Sequence, residues 1–223
     1  MTKALFVQAI MKFALGVVCL GALLFLPAGT LHYENGWLLM GLLFIPMFLA
    51  GLVMMAKNPE LLKRRLKAKE TQSEQQTVIK LSGLMFLAGF VVAGLDYRFG
   101  WLPLPMGVSV AATVAFLASY ALYAEVLREN AYLSRTIQVQ EGQKVVDTGL
   151  YGIVRHPMYS ATVVLFLSIP LVLGSLLAFL IFLVYPFIIA KRIRHEEQFL
   201  VQELPGYEEY RNKVKYRMIP FIW

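Results

Sequence analysis

Residues 37–56 read WLLMGLLFIPMFLAGLVMMA, an apolar run without a single charged side chain. A helix needs about 20 consecutive, mostly apolar residues to cross the hydrocarbon core of a lipid bilayer, and this run has that length. A buried helix of a soluble domain is usually shorter and interrupted by polar residues. The run therefore predicts a transmembrane helix.

Further apolar runs lie on both sides of it, at residues 10–29, 78–95, 102–126, 158–174 and 175–190. The chain is 58% hydrophobic and 16% charged, whereas soluble domains average about 45–50% and about 25%. The last two runs are short and join directly at Gly174 and Ser175, which predicts an antiparallel helical hairpin. We expect an all-α integral membrane protein of about six transmembrane helices, or of five plus a re-entrant hairpin.

The distribution of lysine and arginine predicts the orientation in the membrane. Segments 57–77, 127–157 and 191–223 are rich in these residues, whereas the connections 30–36 and 96–101 contain only Arg98. Because cytoplasmic loops carry the excess of positive charge, we expect both termini and the polar loops in the cytoplasm. The net charge of +7 then indicates contact with anionic lipid headgroups, and nucleic acid is not an expected partner.

The polar segments divide the chain into two regions. Residues 1–126 form N-terminal transmembrane helices, with a basic interfacial helix near 58–76 that begins at Asn58-Pro59-Glu60. A solvated charged connection is the alternative for that stretch. Residues 127–223 form the functional region, with the helical hairpin at 158–190 and a C-terminal helix. Cys19 is the only cysteine, and no cluster of metal ligands is visible, so no metal site is expected.

Segments 134–159 and 191–223 flank the predicted hairpin, which brings their inner ends together. In the first segment Arg155 and His156 precede Pro157, and proline is favoured at the first position of a helix. The free backbone N–H groups at a helix start, with these two side chains, suit a carboxylate or a phosphate. The alternative is that Arg155 and His156 lie among lipid headgroups.

In the second segment Arg192 and Glu196 are four residues apart and share one face of a helix. A carboxylate this close to an apolar run is costly unless it is paired or functional. It suits a ligand ammonium group, and the arginine suits an acidic substrate group. A surface ion pair is the alternative. Four aromatic residues of the tail are typical of an interfacial belt, namely Tyr207, Tyr210, Tyr216 and Trp223.

The motifs of these two segments resemble a known superfamily. They are Gly149-x-Tyr151-x-x-x-Arg155-His156-Pro157-x-Tyr159, then Arg192-x-x-x-Glu196-Glu197-x-x-Leu200, Gly206-Tyr207-x-x-Tyr210 and Arg217-x-Ile219-Pro220. In this order and spacing they resemble the isoprenylcysteine carboxyl methyltransferase and phospholipid methyltransferase superfamily. The likeness covers about residues 134–220. Two features depart from the pattern: Ser160-Ala161 and Leu204-Pro205-Gly206.

The resemblance implies a membrane-embedded methyltransferase that uses S-adenosylmethionine in a cytoplasmic cofactor-binding loop. It implies a lipophilic methyl acceptor from the bilayer, a carboxylate of the isoprenylcysteine type or a lipid headgroup. Carried over to this sequence, Arg192 faces the methyl acceptor and Glu196 belongs to the donor site, and these two are the expected catalytic residues. The donor site implied by the resemblance consists of Gln143, Lys144, Val145, Val146, Tyr151, His156, Pro157, Met158, Tyr159 and Glu196.

Two alternatives remain open at the level of sequence. Membrane sterol and enone reductases that use NADPH share a similar RHPxY block, in which asparagine commonly precedes the tyrosine and Phe-Gly-Glu follows it. Here Met158 precedes Tyr159, and Ser160 and Ala161 follow it. The other alternative is a non-catalytic membrane module of the same fold. Transporters usually place polar residues deep within their spans, whereas here they gather at one membrane face.

Overall fold

The computed structural model describes residues 3–57, 62, 73–130, 132–133 and 139–223. Within these ranges the chain is helical, and its only strand-like pairing is an isolated bridge between Pro103 and Ser175. In chain order the elements are α1 (Lys3–Ala28), α2 (Glu34–Lys57), α3 (Ser73–Phe99), α4 (Met106–Glu129), a 3₁₀ helix (Gly149–Gly152), α5 (Pro157–Val172), α6 (Leu176–Phe182), α7 (Tyr185–Glu203) and α8 (Tyr207–Lys213).

Five helical segments of the described chain are long and apolar enough to cross a membrane. They are Phe6–Ala28, Glu34–Lys57, Gln76–Phe99, Met106–Glu129 and Leu176–Glu203, and α5 is a shorter apolar helix. This confirms the predicted all-α, multi-pass membrane fold. The predicted interfacial helix near 58–76 lies almost wholly outside the described residues, and its last part, 73–76, belongs to α3.

The second arm of the predicted hairpin differs from the expected single helix at 175–190. Helix α6 ends at Phe182, and α7 begins at Tyr185 and continues to Glu203. Pro186 lies in the first turn of α7, where the absence of a backbone N–H costs little. The hydrophobic pattern does not reveal this interruption, because the residues on both sides of it are apolar.

The chain forms two compact units, and the first comprises residues 1–69, 84–113 and 169–182. Several of its buried polar groups form hydrogen bonds around the turn at Gly174, whose φ is +77°. The Tyr33 hydroxyl donates to the carbonyl oxygen of Leu173 at 2.7 Å. Asp96, 1% exposed, accepts a hydrogen bond from Ser175 Oγ and another from Leu102 N. Polar groups buried in apolar surroundings without a hydrogen-bond partner would destabilise the fold, and these bonds supply the partners.

The second unit comprises residues 70–83, 114–168 and 183–223. It contains every residue proposed above for donor or acceptor binding. A buried cluster of Leu204, Tyr207, Tyr210 and Val214 packs α8 against partly buried apolar side chains, among them Val145. This cluster joins the tail of the chain to the loop that precedes Tyr151.

Helix α3 packs closely against α1 at Gly94. A Cβ added there would lie 2.6 Å from the carbonyl oxygen of Leu24 and 3.1 Å from the backbone nitrogen of Ala28. Small residues allow such backbone contact between membrane helices. We therefore expect Gly94→Ala to lower the free energy of unfolding by about 1–3 kcal/mol through overpacking, measured by thermal unfolding in detergent.

Gly83 in the same helix provides the matched control. A Cβ there would meet nothing within 4 Å, and alanine is the better helix former. Gly83→Ala is expected to leave the melting temperature unchanged or slightly higher. A melting temperature of Gly94→Ala equal to that of the control would show that the contact with Leu24 is not limiting.

Candidate functional site

The segment that leads into α5 is fixed to the tail of the chain through its backbone. Arg155 N donates to the carbonyl oxygen of Tyr216 at 2.9 Å, and His156 N donates to that of Arg217 at 2.8 Å. The side chains of Arg155 and His156 are 5% and 6% exposed. The alternative that they lie among lipid headgroups is therefore wrong.

The carboxylate of Glu197 lies at the centre of this contact. It accepts hydrogen bonds from Arg155 Nε at 2.6 Å and from Arg217 Nε at 2.8 Å, and His156 Nε2 lies 3.2 Å away. Glu197 is 3% exposed, and a carboxylate buried to that extent is strongly unfavourable unless it is paired. We call Glu197, Arg155, His156 and Arg217 the carboxylate hub.

Further bonds extend the hub along the tail. Arg155 also donates through one terminal nitrogen to the carbonyl oxygens of Val214 and Lys215, at 2.6 and 2.9 Å. Ser160 Oγ, one turn into α5, donates to the carbonyl oxygen of Met218 at 2.6 Å. The tail from Val214 to Met218 is thereby held against the start of α5.

Glu196, next to the hub residue in sequence, faces a different group. The Tyr159 hydroxyl donates to Glu196 Oε2 at 2.5 Å and accepts from Arg192 Nε at 2.8 Å. The predicted catalytic pair, Arg192 and Glu196, is thus brought together through Tyr159. A charged donor and a charged acceptor on one hydroxyl fix both its position and its orientation.

These elements surround an open cavity of about 110 Å³. Nine of the residues implied by the resemblance line it: Gln143, Lys144, Val145, Val146, Tyr151, His156, Met158, Tyr159 and Glu196. Pro157 is buried at the start of α5, and Arg192 contacts Tyr159, but neither is part of the lining.

The loop with Gln143 follows a turn at Glu141 and Gly142. Gly142 has a φ of +69°, and Gln143 N donates to the carbonyl oxygen of Gln140 at 3.0 Å. Gln140 N in turn donates to Gln143 Oε1 at 2.9 Å, and Gln140 Nε2 donates to the carbonyl oxygen of Tyr132 at 2.7 Å. The turn directs the following residues, up to Val146, along the wall of the cavity.

Tyr151 also lines the cavity and is held at both ends. Asn130 Nδ2 donates to its hydroxyl at 3.0 Å, and Tyr210 donates to its backbone carbonyl at 2.7 Å. Burial raises the pKa of Tyr151 to about 12, so the ring presents a neutral hydroxyl at physiological pH. A neutral aromatic ring with one polar end suits stacking against a flat heterocycle.

Glycine is required for steric reasons at Gly149, the first residue of the Gly149-x-Tyr151 motif. Gly149 has a φ of +52°, and a Cβ there would collide with the carboxylate of Glu129. That carboxylate accepts a hydrogen bond from Leu150 N at 2.9 Å. The glycine thus allows α4 to cap the 3₁₀ helix that carries Tyr151.

Several lining residues were not predicted from the sequence as part of the site: Asn130, Tyr132, Leu133, Leu200, Leu204, Tyr207 and Tyr210. Tyr207 and Tyr210 were expected in an interfacial belt, but they are only 4% and 5% exposed, and that expectation is wrong. Their spacing of three residues does indicate a shared helix face. No feature of the sequence shows that this face turns toward the cavity.

A comparison with known families confirms the resemblance predicted from the motifs. Residues 110–202 match the model of the isoprenylcysteine carboxyl methyltransferase (ICMT) family. The matched segment includes most of α4, the loop and 3₁₀ helix, α5 and α6, and α7 to its penultimate residue. It therefore contains Glu196 and Glu197, whereas α8 and the tail lie outside it.

A comparison with curated proteins finds likeness to the Delta(14)-sterol reductase of Mus musculus. The two are 31% identical over 91 residues, which cover 40% of this chain and 22% of the reductase. The match thus spans about a fifth of the length of that relative.

The carboxylate hub predicts a large stability effect at Glu197. Glu197→Gln removes the charge while keeping the side-chain shape, which leaves Arg155 buried beside a neutral amide. Breaking a buried ion pair from one side costs about 3–5 kcal/mol, and we expect a loss of that size in thermal unfolding in detergent.

Glu203→Gln is the control, because Glu203 is exposed in the same helix and is expected to contribute within about 0.5 kcal/mol. Equal melting temperatures for the two variants would contradict a structural role of the hub.

Proposed function

We propose that the chain is an S-adenosylmethionine-dependent methyltransferase that acts on a lipophilic acceptor. The observation that carries this proposal is the cavity of the second unit. It combines a carboxylate, Glu196, with an apolar and aromatic wall, and all residues of its predicted donor site lie in the segment matched by a methyltransferase family.

The lining fits the chemical parts of the donor. The α-ammonium group of S-adenosylmethionine can pair with Glu196, the carboxylate that lines the cavity beside Tyr159. Its adenine matches the wall of Val145, Val146 and Tyr151, since a flat heterocycle is held by apolar contacts and by stacking on an aromatic ring. Gln143 and Lys144 add hydrogen-bond donors at the edge of this wall.

S-adenosylmethionine supplies a methyl group on a positively charged sulfur when it is bound. In the transfer, the bond from sulfur to the methyl carbon breaks and a bond from that carbon to the acceptor oxygen or nitrogen forms. The chain's contribution is to hold the two reactants in line and to exclude water. The side chains that surround Glu196 are fixed by hydrogen bonds to their neighbours, which suits that task.

A carboxylate acceptor agrees best with the local chemistry. It needs no general base, and a guanidinium such as that of Arg192 binds carboxylates well. An amine acceptor must first lose a proton, and Glu197 is a poor base because its oxygens face Arg155 and Arg217. An acid of the isoprenylcysteine type is therefore favoured over a headgroup amine. Such an acceptor dissolves in a lipid bilayer, which the five apolar segments are long enough to cross. The excess of lysine and arginine in the polar segments supports a cytoplasmic location of the site and of both termini.

The likeness to a sterol reductase makes an NADPH-dependent reductase the second candidate. A dinucleotide with several phosphate groups needs cationic partners. The Nε atoms of Arg155 and of His156 both face Glu197, while Glu196 adds negative charge to the lining. Among the described lining residues this leaves Lys144 as the cation for several phosphate groups, which favours a ligand with an ammonium group over a polyanion.

Binding measurements on the purified protein in detergent separate the two candidates. By calorimetry we expect S-adenosylmethionine to bind the unaltered chain and NADPH not to bind. Glu196→Gln is expected to weaken S-adenosylmethionine binding at least tenfold, because a charge-assisted hydrogen bond is lost.

Glu203→Gln, in the same helix, is expected to bind like the unaltered chain. Binding of NADPH in place of S-adenosylmethionine would replace the methyltransferase proposal with the reductase.

Arg192 offers a test of the acceptor side. Since it lies outside the cavity lining, we expect Arg192→Gln to keep donor affinity within about threefold while methyl transfer falls at least a hundredfold. Transfer is measured with methyl-labelled S-adenosylmethionine and lipid extracts that contain isoprenylated carboxylic acids. A charge-assisted contact in the transition state has an effect of this order.

Arg194→Gln is the control, because Arg194 is exposed on the same helix. A parallel loss of donor binding and of transfer in Arg192→Gln would assign Arg192 to the donor site instead.

A further inference from the structure

Tyr207 differs from the other tyrosines that line the cavity. The hydroxyls of Tyr151, Tyr159 and Tyr210 each have a hydrogen-bond partner. The hydroxyl of Tyr207 is buried and has no such partner among the residues that the structure describes. A buried polar group without a partner is destabilising. Such groups are rare in folded proteins and often mark a place where a ligand or a water molecule binds.

The position of Tyr207 is set by the surrounding packing. It is the first residue of α8 and follows Gly206, which has a φ of +84°. The ring packs with Leu204, Tyr210 and Val214 in the buried cluster. Because the tail beyond Val214 is bound to the carboxylate hub, the ring is held in place before any ligand arrives.

The electrostatic surroundings keep the hydroxyl neutral. Burial raises the pKa of Tyr207 far above its usual value, and the carboxylates of Glu197 and Glu196 raise it further. The hydroxyl therefore retains its proton and remains a hydrogen-bond donor at any physiological pH. Tyr207 also lines the same cavity as Glu196.

A ligand with an α-amino acid end has two requirements at this place. Its ammonium group needs an acceptor, which Glu196 provides, and its carboxylate, attached to the same carbon, needs a donor close by. Two of the donors predicted at the start of α5, Arg155 Nε and His156 Nε2, face Glu197 instead. Tyr207 is a lining residue, and its hydroxyl is a neutral, buried donor that has no protein acceptor among the described residues.

We propose that the Tyr207 hydroxyl donates a hydrogen bond to the ligand's α-carboxylate while Glu196 accepts from the adjacent ammonium group. This inference rests on the proposed function, because it assigns a contact to the amino-acid end of S-adenosylmethionine. It makes Tyr207 a binding residue that lies outside the segment matched by the methyltransferase family.

The test uses Tyr207→Phe and two probes. S-adenosylhomocysteine carries the amino-acid end, and 5′-methylthioadenosine keeps the nucleoside but lacks that end. By calorimetry in detergent, Tyr207→Phe is expected to bind S-adenosylhomocysteine about tenfold or more weakly, as for loss of a hydrogen bond to a charged group. Its affinity for 5′-methylthioadenosine is expected to stay within twofold.

The ligand-free protein supplies a second readout. Tyr207→Phe removes an unpartnered hydroxyl, so its melting temperature is expected to equal or exceed that of the unaltered chain. Tyr210→Phe removes a bonded hydroxyl, and its melting temperature is expected to fall. Tyr216→Phe is the control for affinity, because Tyr216 lies outside the lining and both probes should bind it normally.

Different outcomes overturn different statements. Unchanged affinity of Tyr207→Phe for S-adenosylhomocysteine, with normal binding by the unaltered chain, refutes the role of Tyr207 and leaves the proposed function standing. Equal weakening for both probes also refutes it, since the contact is then not with the amino-acid end. Failure of the unaltered chain to bind either S-adenosylmethionine or S-adenosylhomocysteine refutes the proposed function, and the inference falls with it.

Discussion

The second unit depends on the compensation of one buried negative charge. Glu197 is buried only because Arg155, Arg217 and His156 converge on it from two separate parts of the chain. The desolvation of these groups is offset by their mutual attraction only when the geometry is good and the remaining donors are satisfied. The backbone carbonyls of the tail accept hydrogen bonds from Arg155 as well. The ion pairs therefore hold the tail in its path, and that path in turn supplies acceptors for the remaining donors of Arg155.

Two adjacent acidic residues thereby have separate tasks. Successive residues of an α-helix point about 100° apart, so Glu196 and Glu197 face different neighbours. Glu197 is enclosed by cations and holds the structure together, whereas Glu196 lines the cavity, where Tyr159 bonds it. Under the proposed function, the rigid group beside the donor-binding carboxylate positions a reactant at little entropic cost.

The sequence predicts the membrane fold well, because uncharged apolar runs of sufficient length seldom occur outside membrane helices. It predicts much of the cavity lining as well, but only through motifs, since Gln143 and Val146 carry no chemical signature of their own. The roles of Glu197 and Tyr207 are not predictable, because they depend on contacts with residues distant in sequence, such as Arg155 and Val145. The break between α6 and α7 is equally hidden, because only apolar residues surround it.

The separation of the hub residues along the chain also fixes an order of events during biosynthesis. Arg155 and Glu197 are 42 residues apart, and Arg217 follows 20 residues later. Translation proceeds from the N-terminus, so Arg155 emerges well before either partner has been synthesised. The full set of hub contacts can therefore form only after Arg217 has been synthesised, which makes them a late step of folding.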